Sequence, residues 1–284
     1  MSTGISTVYQ DYFDPIVKQS YQASMKLRGA VRLKTGVVGD TCKFKKFGDG
    51  TAKPRGPIAS DVPVMSNSYT EVTATLTDWT ASDYTDIFSQ PKVNFDEVQL
   101  QAESNAMAIG RRFDQQIIDA MNASAFATAV SIDLGGTNSS LNFEKVRKAS
   151  ALLNINNVPM EDRFFLIHAN SLYGLLGESE ATSSDYATIN ALQSGSMPGI
   201  WMGFKWTVVG NMDEGGLPLS TNSRTNFAFH GGSRGAVGAG IGLDFKSSID
   251  WIPQKKSWLV STDYSGGAVT IDTDAVIKVA TYEA

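Results

Sequence analysis

The sequence predicts an α+β fold with one long helix, several β-strands and no catalytic machinery. Between residues 94 and 122, apolar residues recur every three or four positions, which is the period of an α-helix. Segments with alternating side-chain character, typical of β-strands, precede and follow this helix. The motifs that resemble catalytic or cofactor sites lack the partner residues that such chemistry needs. These three observations favour a structural role over an enzymatic one.

The composition is that of a folded protein from a reducing compartment. The chain has 284 residues, 42% hydrophobic and 19% charged, enough for one large domain or two subdomains. Its net charge of −5 makes it a poor general binder of nucleic acid. The single cysteine, Cys42, excludes an intramolecular disulfide, and we expect it to be an ordinary apolar strand residue. No signal-peptide pattern is present, and no apolar run reaches the ~18 residues of a membrane span.

The first thirty residues are predicted to form an arm followed by a helix. Residues 1–13 have the character of an extended segment. Asp14 and Pro15 then supply the side chain preferred at an N-cap and the residue favoured at the first helical position. Gly29 is predicted to end this helix.

Residues 31–80 are predicted to form a long β-hairpin with a wide loop. Residues 41–47 and 69–76 alternate in character, and a tip rich in glycine and proline separates them. From Arg32 to Asp61, seven basic residues accompany three acidic ones, so this stretch is +4 and the rest of the −5 chain is −9. It is either a solvated strand face or a basic limb that lies on the acidic body of a neighbouring copy. The candidate contact residues are Lys43, Lys45, Lys46, Lys53 and Arg55.

The long helix follows the hairpin and is expected to act as a strut. At about 1.5 Å per residue it would be roughly 40 Å long. Asn94 with Glu97 three positions later predicts a capping box at its start. We expect the apolar face to pack on the C-terminal sheet, and the polar face, including Arg111 and Gln115, to be free for solvent or neighbours. The apolar stripe comprises Phe95, Val98, Ala102, Ala106, Ile109, Phe113, Ile117 and Met121.

The second half of the chain is predicted to mix short helices with strands. Helices are expected over 143–154, from Asn170 as N-cap to Leu176, and over 186–192. Strands are expected over 163–167, 204–209, 225–229, 258–262, 269–272 and 276–280.

The sharpest catalytic match is Gly-x-Ser-x-Gly at residues 231–235. A nucleophile elbow requires a helix after the serine and a histidine further along the chain. No histidine follows His230, and the glycine-rich segment 236–242 is a poor helix and also misses the dinucleotide-binding spacing. His168 and His230 lack the spacing of metal ligands. The sequence therefore predicts no catalytic residue, no metal site and no cofactor.

The order of these elements resembles the major capsid proteins of tailed bacteriophages, which have the Hong Kong 97-type fold. The run from Asp162 to Ile167, the helix after it, and the strand Gly203-Phe204-Lys205-Trp206-Thr207-Val208 are similar to the axial domain of that family. The resemblance implies five parts. They are the N-terminal arm and helix (1–30), the extended β-hairpin loop (31–80), the peripheral domain with its spine helix (81–135), the axial domain (136–250) and C-terminal strands that return to the peripheral domain (251–284).

The resemblance also implies a function without enzymatic activity. Copies of the chain would form hexamers and pentamers, and these would build the icosahedral head shell around double-stranded phage DNA without sequence-specific binding. The protein would assemble in the bacterial cytoplasm and reside in the virion, without membrane contact. Its partners would be itself, a separate scaffolding protein, the portal, and decoration or tail proteins. Two alternatives remain, an encapsulin-type nanocompartment shell and a serine hydrolase that uses Ser233.

Overall fold

The computed structural model of the protein describes residues 22–58, 60–92, 96–124, 129–178 and 199–283. The predicted arm up to residue 21, the predicted helix over 186–192, and both Asn94 and Phe95 lie outside these ranges. The described α-helices are α1 (Glu97–Ala123), α2 (Phe143–Ile155) and α3 (Ala169–Leu176). The described strands are β1 (Arg32–Thr35), β2 (Thr41–Phe47), β3 (Tyr69–Thr75), β4 (Thr77–Asp86), β5 (Ala129–Val130), β6 (Arg163–His168), β7 (Ile200–Trp201), β8 (Phe204–Val209), β9 (Leu219–Ser220), β10 (Ser223–His230), β11 (Val237–Ile252), β12 (Ser257–Thr270) and β13 (Val276–Tyr282).

The long helix α1 packs on a four-stranded sheet, as the sequence predicts. The strand order is β1-β11-β12-β4, and only the β1–β11 pair is parallel. Asn105 of α1 donates to the Val260 carbonyl of β12 (3.1 Å), and Thr270 of β12 donates to the Ala120 carbonyl of α1 (3.0 Å). The helix therefore follows β12 along most of its length. Ala106, which the predicted stripe includes, is exposed, whereas the later stripe residues Ile109, Phe113, Ile117 and Met121 are buried.

The polar side of α1 is not free, which corrects the prediction for Arg111 and Gln115. Both side chains are buried. Arg111 donates from Nε to the Glu214 carboxylate (3.1 Å) and from Nη1 to Gln22 Oε1 (2.9 Å), and Gln115 Oε1 accepts from the Gly216 backbone N–H (2.9 Å). The loop after β8 therefore covers this side of the helix. Arg111 binds the Glu214 carboxylate of this loop, and Gln115 binds the backbone N–H of Gly216 in the same loop.

The start of α1 also differs from the predicted capping box. The N-cap is Asp96, whose side chain accepts from the Gln99 N–H (3.2 Å). Glu97 instead lies within hydrogen-bond distance of the Ser89 hydroxyl (3.1 Å). Aspartate and asparagine are equally good N-caps, so composition alone could not choose between the two positions.

Residues 22–26 are not helical, so the predicted helix up to Gly29 is wrong over this part. These residues have no regular secondary structure, and a turn follows. Asp114 of α1 accepts the backbone N–H groups of Lys26 (2.7 Å) and Leu27 (3.1 Å). A carboxylate from another element thus replaces the helical hydrogen bonds. Gly110, one turn earlier, lies close to this segment, because a Cβ there would be 3.1 Å from Cβ of Met25.

Asp114 is expected to make stability depend on pH. Burial raises the pKa of this carboxyl group to about 6, against the opposing effect of the two N–H donors. An acid with a higher pKa in the folded chain adds stability below its unfolded pKa and loses that stability as the pH rises through its folded pKa. Between pH 4 and 7, the wild type should therefore lose up to about 3 kcal/mol of unfolding free energy relative to Asp114→Asn. Urea unfolding across this range measures the difference, and parallel pH profiles would refute it.

A seven-stranded sheet forms the other half of the molecule. Its order is β5-β13-β10-β6-β8-β7, with β9 also paired to β10. Alternate residues of β6 and β10 face opposite sides. Phe165, Ile167 and Ala228 belong to the core under α2 and α3, whereas Leu166, Phe227 and Phe229 belong to the core that includes α1. Helices α2 and α3 and the predicted strands β6, β8 and β10 are confirmed, but the N-cap of α3 is His168, not Asn170.

The C-terminal strands divide between the two sheets. β12 merges two predicted strands into one, and together with β11 it lies in the sheet under α1. β13 joins the other sheet, antiparallel to β10 from Ser223↔Tyr282 to Phe229↔Val276. Glu283, next to β13, forms an ion pair with Arg224 of β10 (2.5 Å), which fixes this pairing. β11 spans the predicted boundary at 250/251, and β13 pairs within the seven-stranded sheet. Lys278 of β13 also donates to the Asn122 carbonyl of α1 (2.8 Å). None of the described helices is long and apolar enough to span a membrane.

Candidate subunit interface

The hairpin formed by β2 and β3 has one buried and one exposed face. The two predicted strands are present, and their register runs from Thr41↔Thr75 to Phe47↔Tyr69. The Gly48 N–H donates to the Ser68 carbonyl (2.9 Å) where the wide loop begins. One face is buried and contains Cys42, Phe44 and Ala74. The opposite face is largely exposed to solvent.

The buried face of the hairpin rests on a stripe of glycines in β11. Val237, Ala239 and Ile241 point into the core beneath α1, so the alternate residues Gly238 and Gly240 face the other side of the sheet. A Cβ on Gly240 would lie 2.6 Å from Cβ and 2.9 Å from Sγ of Cys42, and one on Gly238 would lie 2.8 Å from Cζ of Phe44. Any larger residue would occupy the space of the hairpin. Sequence analysis missed this role and considered these glycines only as a nucleotide loop.

Cys42 has the structural role that the sequence predicts. The residue is 1% exposed, and burial raises the pKa of its thiol. It packs with Phe44, Ala74 and Ile271 in a small cluster that joins the hairpin to the body. A buried thiol with a raised pKa is an unreactive one.

Polar contacts also hold the hairpin against its own subunit. Lys46 forms an ion pair with Asp272 (2.8 Å), which follows β12, and the Arg32 guanidinium lies 5.7 Å from the centre of the Phe44 ring. At the base, the Leu76 N–H donates to the Asp40 carbonyl (2.8 Å). The base of the hairpin is therefore attached to its own subunit.

The five predicted contact residues have different surroundings. Lys43 pairs with Glu71 across the hairpin (2.6 Å), and this contact lowers the pKa of Glu71. Lys46 pairs with the body, and Lys53 Nζ donates to the Val64 carbonyl within the tip (3.0 Å). Lys45 and Arg55 are exposed and form no ion pair with any described residue, although Lys45 lies opposite Glu71 in the hairpin and its charge also lowers the pKa of Glu71. The longer stretch from Arg32 to Leu76 also contains Glu71, so its charge is +3.

The tip also presents apolar side chains to solvent. Over residues 48–68 the described chain has no helix or strand. Ile58 is 100% exposed and Val64 is 77% exposed, and Val62 and Met65 are exposed as well. Contiguous exposed apolar residues on a folded protein commonly mark a contact with another molecule. The tip thus combines apolar contact area with the exposed cation Arg55, and Lys45 lies nearby in β2.

The geometry does not support a nucleophile elbow at Ser233. The turn is closed by backbone bonds from Gly231 N–H to the Asp162 carbonyl (2.9 Å) and from Ala236 N–H to the His230 carbonyl (2.8 Å). Strand β11 follows, where the elbow requires a helix. Within the described ranges, no hydrogen bond joins Ser233 to a histidine or a carboxylate.

His168 contributes to the structure of the seven-stranded sheet. Its Nδ1 accepts from the Asn170 N–H (3.3 Å), and its Nε2 is 3.1 Å from Asn211 Oδ1. Burial lowers the pKa of both His168 and His230. Among the described residues, no group of three or more histidine, cysteine or acidic side chains could hold a metal ion.

Comparison with known proteins identifies the kind of protein. The chain resembles the capsid protein of cyanophage P-SCSP1u (TM-score 0.76, 13% identity, 100% of this chain and 96% of that chain). It also resembles a chain in the head structure of Helicobacter pylori bacteriophage KHP40 (TM-score 0.73, 14% identity, 94% of each chain). A further similar chain is from Mycobacterium phage Che8 (TM-score 0.71, 14% identity, 96% of this chain and 97% of that chain). No curated protein sequence matches significantly. The family model for phage capsid proteins matches residues 5–283. The chain therefore belongs to the phage capsid protein family and has the Hong Kong 97-type capsid fold.

Proposed function

We propose that this capsid protein is the major subunit of a phage head shell. Its copies form hexamers and pentamers, which build an icosahedral shell around double-stranded DNA. The proposal rests on the hairpin. Its base packs against its own subunit, whereas its apolar and cationic tip is exposed. The apolar side chains of the tip are exposed on the single subunit, so a second subunit is the natural cover for them.

The tip is proposed to contact the acidic body of a neighbouring copy. The chain outside Arg32–Leu76 has a charge of −8, because +3 of the total of −5 lies within that stretch. Lys43 and Lys46 form ion pairs within their own subunit, whereas Lys45 only faces Glu71 across the hairpin and Arg55 forms no ion pair with the described residues. Charge complementarity therefore assigns Lys45 and Arg55 to contacts between subunits.

Reversing the charge of both residues should weaken assembly without unfolding the subunit. In the double variant Lys45→Glu and Arg55→Glu, we expect the subunit concentration needed for assembly to rise by roughly tenfold, as for the loss of about 1.4 kcal/mol. Light scattering measures assembly and circular dichroism measures folding. The control is Lys148→Glu on α2, an exposed lysine without an ion pair among the described residues. Equal assembly of both variants would contradict the assignment.

The two sheets are proposed to correspond to the two domains of the capsid fold. The four-stranded sheet with α1 would be the peripheral domain, and the seven-stranded sheet with α2 and α3 the axial domain. Sheet membership favours placing β11 and β12 in the peripheral domain and β13 in the axial domain. Residues 1–30 and 31–80 keep their proposed roles as arm and extended loop.

A separate scaffolding protein is proposed to direct assembly, with portal and decoration or tail proteins as further partners. Assembly takes place in the host cytoplasm, and the DNA is enclosed without sequence-specific contacts. Expression of the chain alone should give few or irregular shells, and addition of the scaffolding protein should give uniform ones. Electron microscopy distinguishes the two results. Uniform closed shells from the chain alone would rule out the need for a scaffold.

We propose that the protein has no enzymatic activity. The strand after Ser233 and the closed turn argue against the hydrolase alternative. Wild type and Ser233→Ala should therefore release nitrophenol from nitrophenyl acetate at the same background rate. An encapsulin-type shell is disfavoured by the family match, and copurification of a specific enzyme cargo inside the particles would revive it.

A further inference from the structure

Among the described residues, none pairs with the outer edge of the second half of β11. Strand β1 pairs with β11 only from Gly238 to Ile241, whereas β12 pairs with β11 as far as Ile252. From Lys246 to Ile252, β11 is therefore paired on one side only within the described part of the chain. An unpaired edge exposes a row of backbone N–H and C=O groups that can accept another strand.

Side chains along this edge are exposed on both faces of the sheet. Lys246, Ser248 and Asp250 share one face by strand alternation, and Ser247 and Ile249 share the other. Ile249 is 53% exposed although it lies opposite the buried Val260. The edge thus leaves both backbone groups and an apolar side chain uncovered.

The edge is complementary to itself when a second copy runs antiparallel. With Ser248 of each strand opposite the other, Lys246 of one copy lies opposite Asp250 of its partner, and the reverse pair forms on the other side of the axis. Ser247 and Ile249 lie opposite each other in the same way. Neither Lys246 nor Asp250 forms an ion pair with the described residues of its own chain, and Ser248 Oγ is 3.1 Å from the Asp250 carboxylate. Opposite charges directly across a strand pair stabilise it.

One feature within the chain competes with this pairing. Asp263 is the cross-strand neighbour of Lys246 on β12. Its carboxylate accepts the hydroxyl of Thr80 (2.7 Å), and no ion pair within 4.0 Å joins it to Lys246. Lys246 is therefore available to a carboxylate beyond the open edge.

We infer that two copies of this chain pair antiparallel through the free edge of β11, centred on Ser248. The two four-stranded sheets then form one continuous sheet across a two-fold axis. This isologous contact uses the same residues on both copies. It differs from the hairpin contact and rests on the proposed shell, in which two-fold axes relate neighbouring subunits.

Cysteine crosslinking tests the centre of the pairing. In assembled shells of Ser248→Cys, two thiols should face each other across the axis, since directly opposite Cβ atoms are about 4.5–5.5 Å apart. Treatment with copper phenanthroline, and separately with a short bismaleimide, should convert most of the protein to covalent dimers on non-reducing gels. The native thiol of Cys42 is buried and should stay unreacted.

Ser82 is the matched control position, because it lies in the same line of cross-strand neighbours as Ser248. Ser261 of β12 lies opposite Ser248, and Ser82 of β4 lies opposite Ser261. In the paired sheet, the two copies of Ser82 would be separated by five strand spacings, or roughly 24 Å. Ser82→Cys should therefore give only monomer under the same conditions. Equal dimer yields for both cysteines, or no dimer from Ser248→Cys in well-formed shells, would overturn the pairing.

A charge exchange tests the register. In the Ser248→Cys background, either Lys246→Asp or Asp250→Lys places like charges opposite each other twice, and the dimer yield should fall by roughly fivefold. Combining both substitutions restores opposite charges and should restore the yield. Failure of the combined variant to recover, with normal folding, would refute the register. If wild type forms no shells even with the scaffolding protein, the proposed function fails, and crosslinking of the soluble chain still decides whether this edge pairs.

Discussion

Replacement of Gly240 by valine should displace the hairpin from its contact with β11 and abolish uniform shell assembly. Even the first added carbon would lie 2.6 Å from Cβ of Cys42, and the two branches of valine need still more space. Overpacking of this kind usually costs about 1–3 kcal/mol, and here the hairpin can relieve it by moving away. We expect the isolated subunit to remain folded while closed particles disappear from electron micrographs. Increased protease cleavage within residues 48–68 would report the displaced hairpin.

Two controls separate this effect from a general cost of valine. Gly210→Val places the same side chain where a Cβ would meet nothing within 4 Å, so assembly should be unchanged. Gly240→Ala should assemble poorly in the wild-type background and better when combined with Cys42→Gly, which removes the atoms in conflict. Absence of any coupling between the last two substitutions would show that the hairpin does not rest on Gly240.

Replacement of Arg111 by alanine should destabilise the subunit by about 3–5 kcal/mol, the usual cost of removing one partner of a buried ion pair. The Arg111 side chain is 8% exposed and lies within 3.2 Å of both Asp213 and Glu214. Its loss would leave Glu214, which is 16% exposed, without its cation. The free energy of unfolding from urea titration measures the change.

Arg147→Ala is the matched control for Arg111→Ala. Arg147 lies on α2, is mostly exposed, and is 3.6 Å from Glu144 one turn away. Exposed pairs of this kind contribute about 0.3–0.5 kcal/mol, so this variant should be close to wild type. Comparable losses in the two variants would mean that Arg111 does not join α1 to the loop after β8.

The elements that local patterns determine could be predicted from the sequence. The period of apolar residues in α1 and the alternation in β2 and β3 reflect which faces are buried, and burial follows directly from residue type. The candidate contact residues were predicted only as a set. Their separation into paired Lys43 and Lys46 and unpaired Lys45 and Arg55 depends on where Glu71 and Asp272 lie in the folded chain.

Features that depend on contacts between distant segments could not be predicted in this way. The glycines of β11 lack side chains, so they show no hydrophobic pattern, although their spacing of two residues is the signal of a strand face covered at close range. Arg111 and Gln115 have the residue types of a solvated helix face and are buried only because the loop after β8 meets them. β13 could pair with either sheet on composition alone, and its partner β10 is fixed by tertiary contacts.

The central claim is that this chain forms the shell lattice and that the tip of each hairpin contacts a neighbouring copy. Electron cryomicroscopy of particles assembled with the scaffolding protein tests both parts at once. We expect hexamers and pentamers of this chain, with residues 48–68 of each copy lying against the adjacent subunit. A shell lattice without this chain, or hairpin tips that contact only their own subunit, would contradict the account.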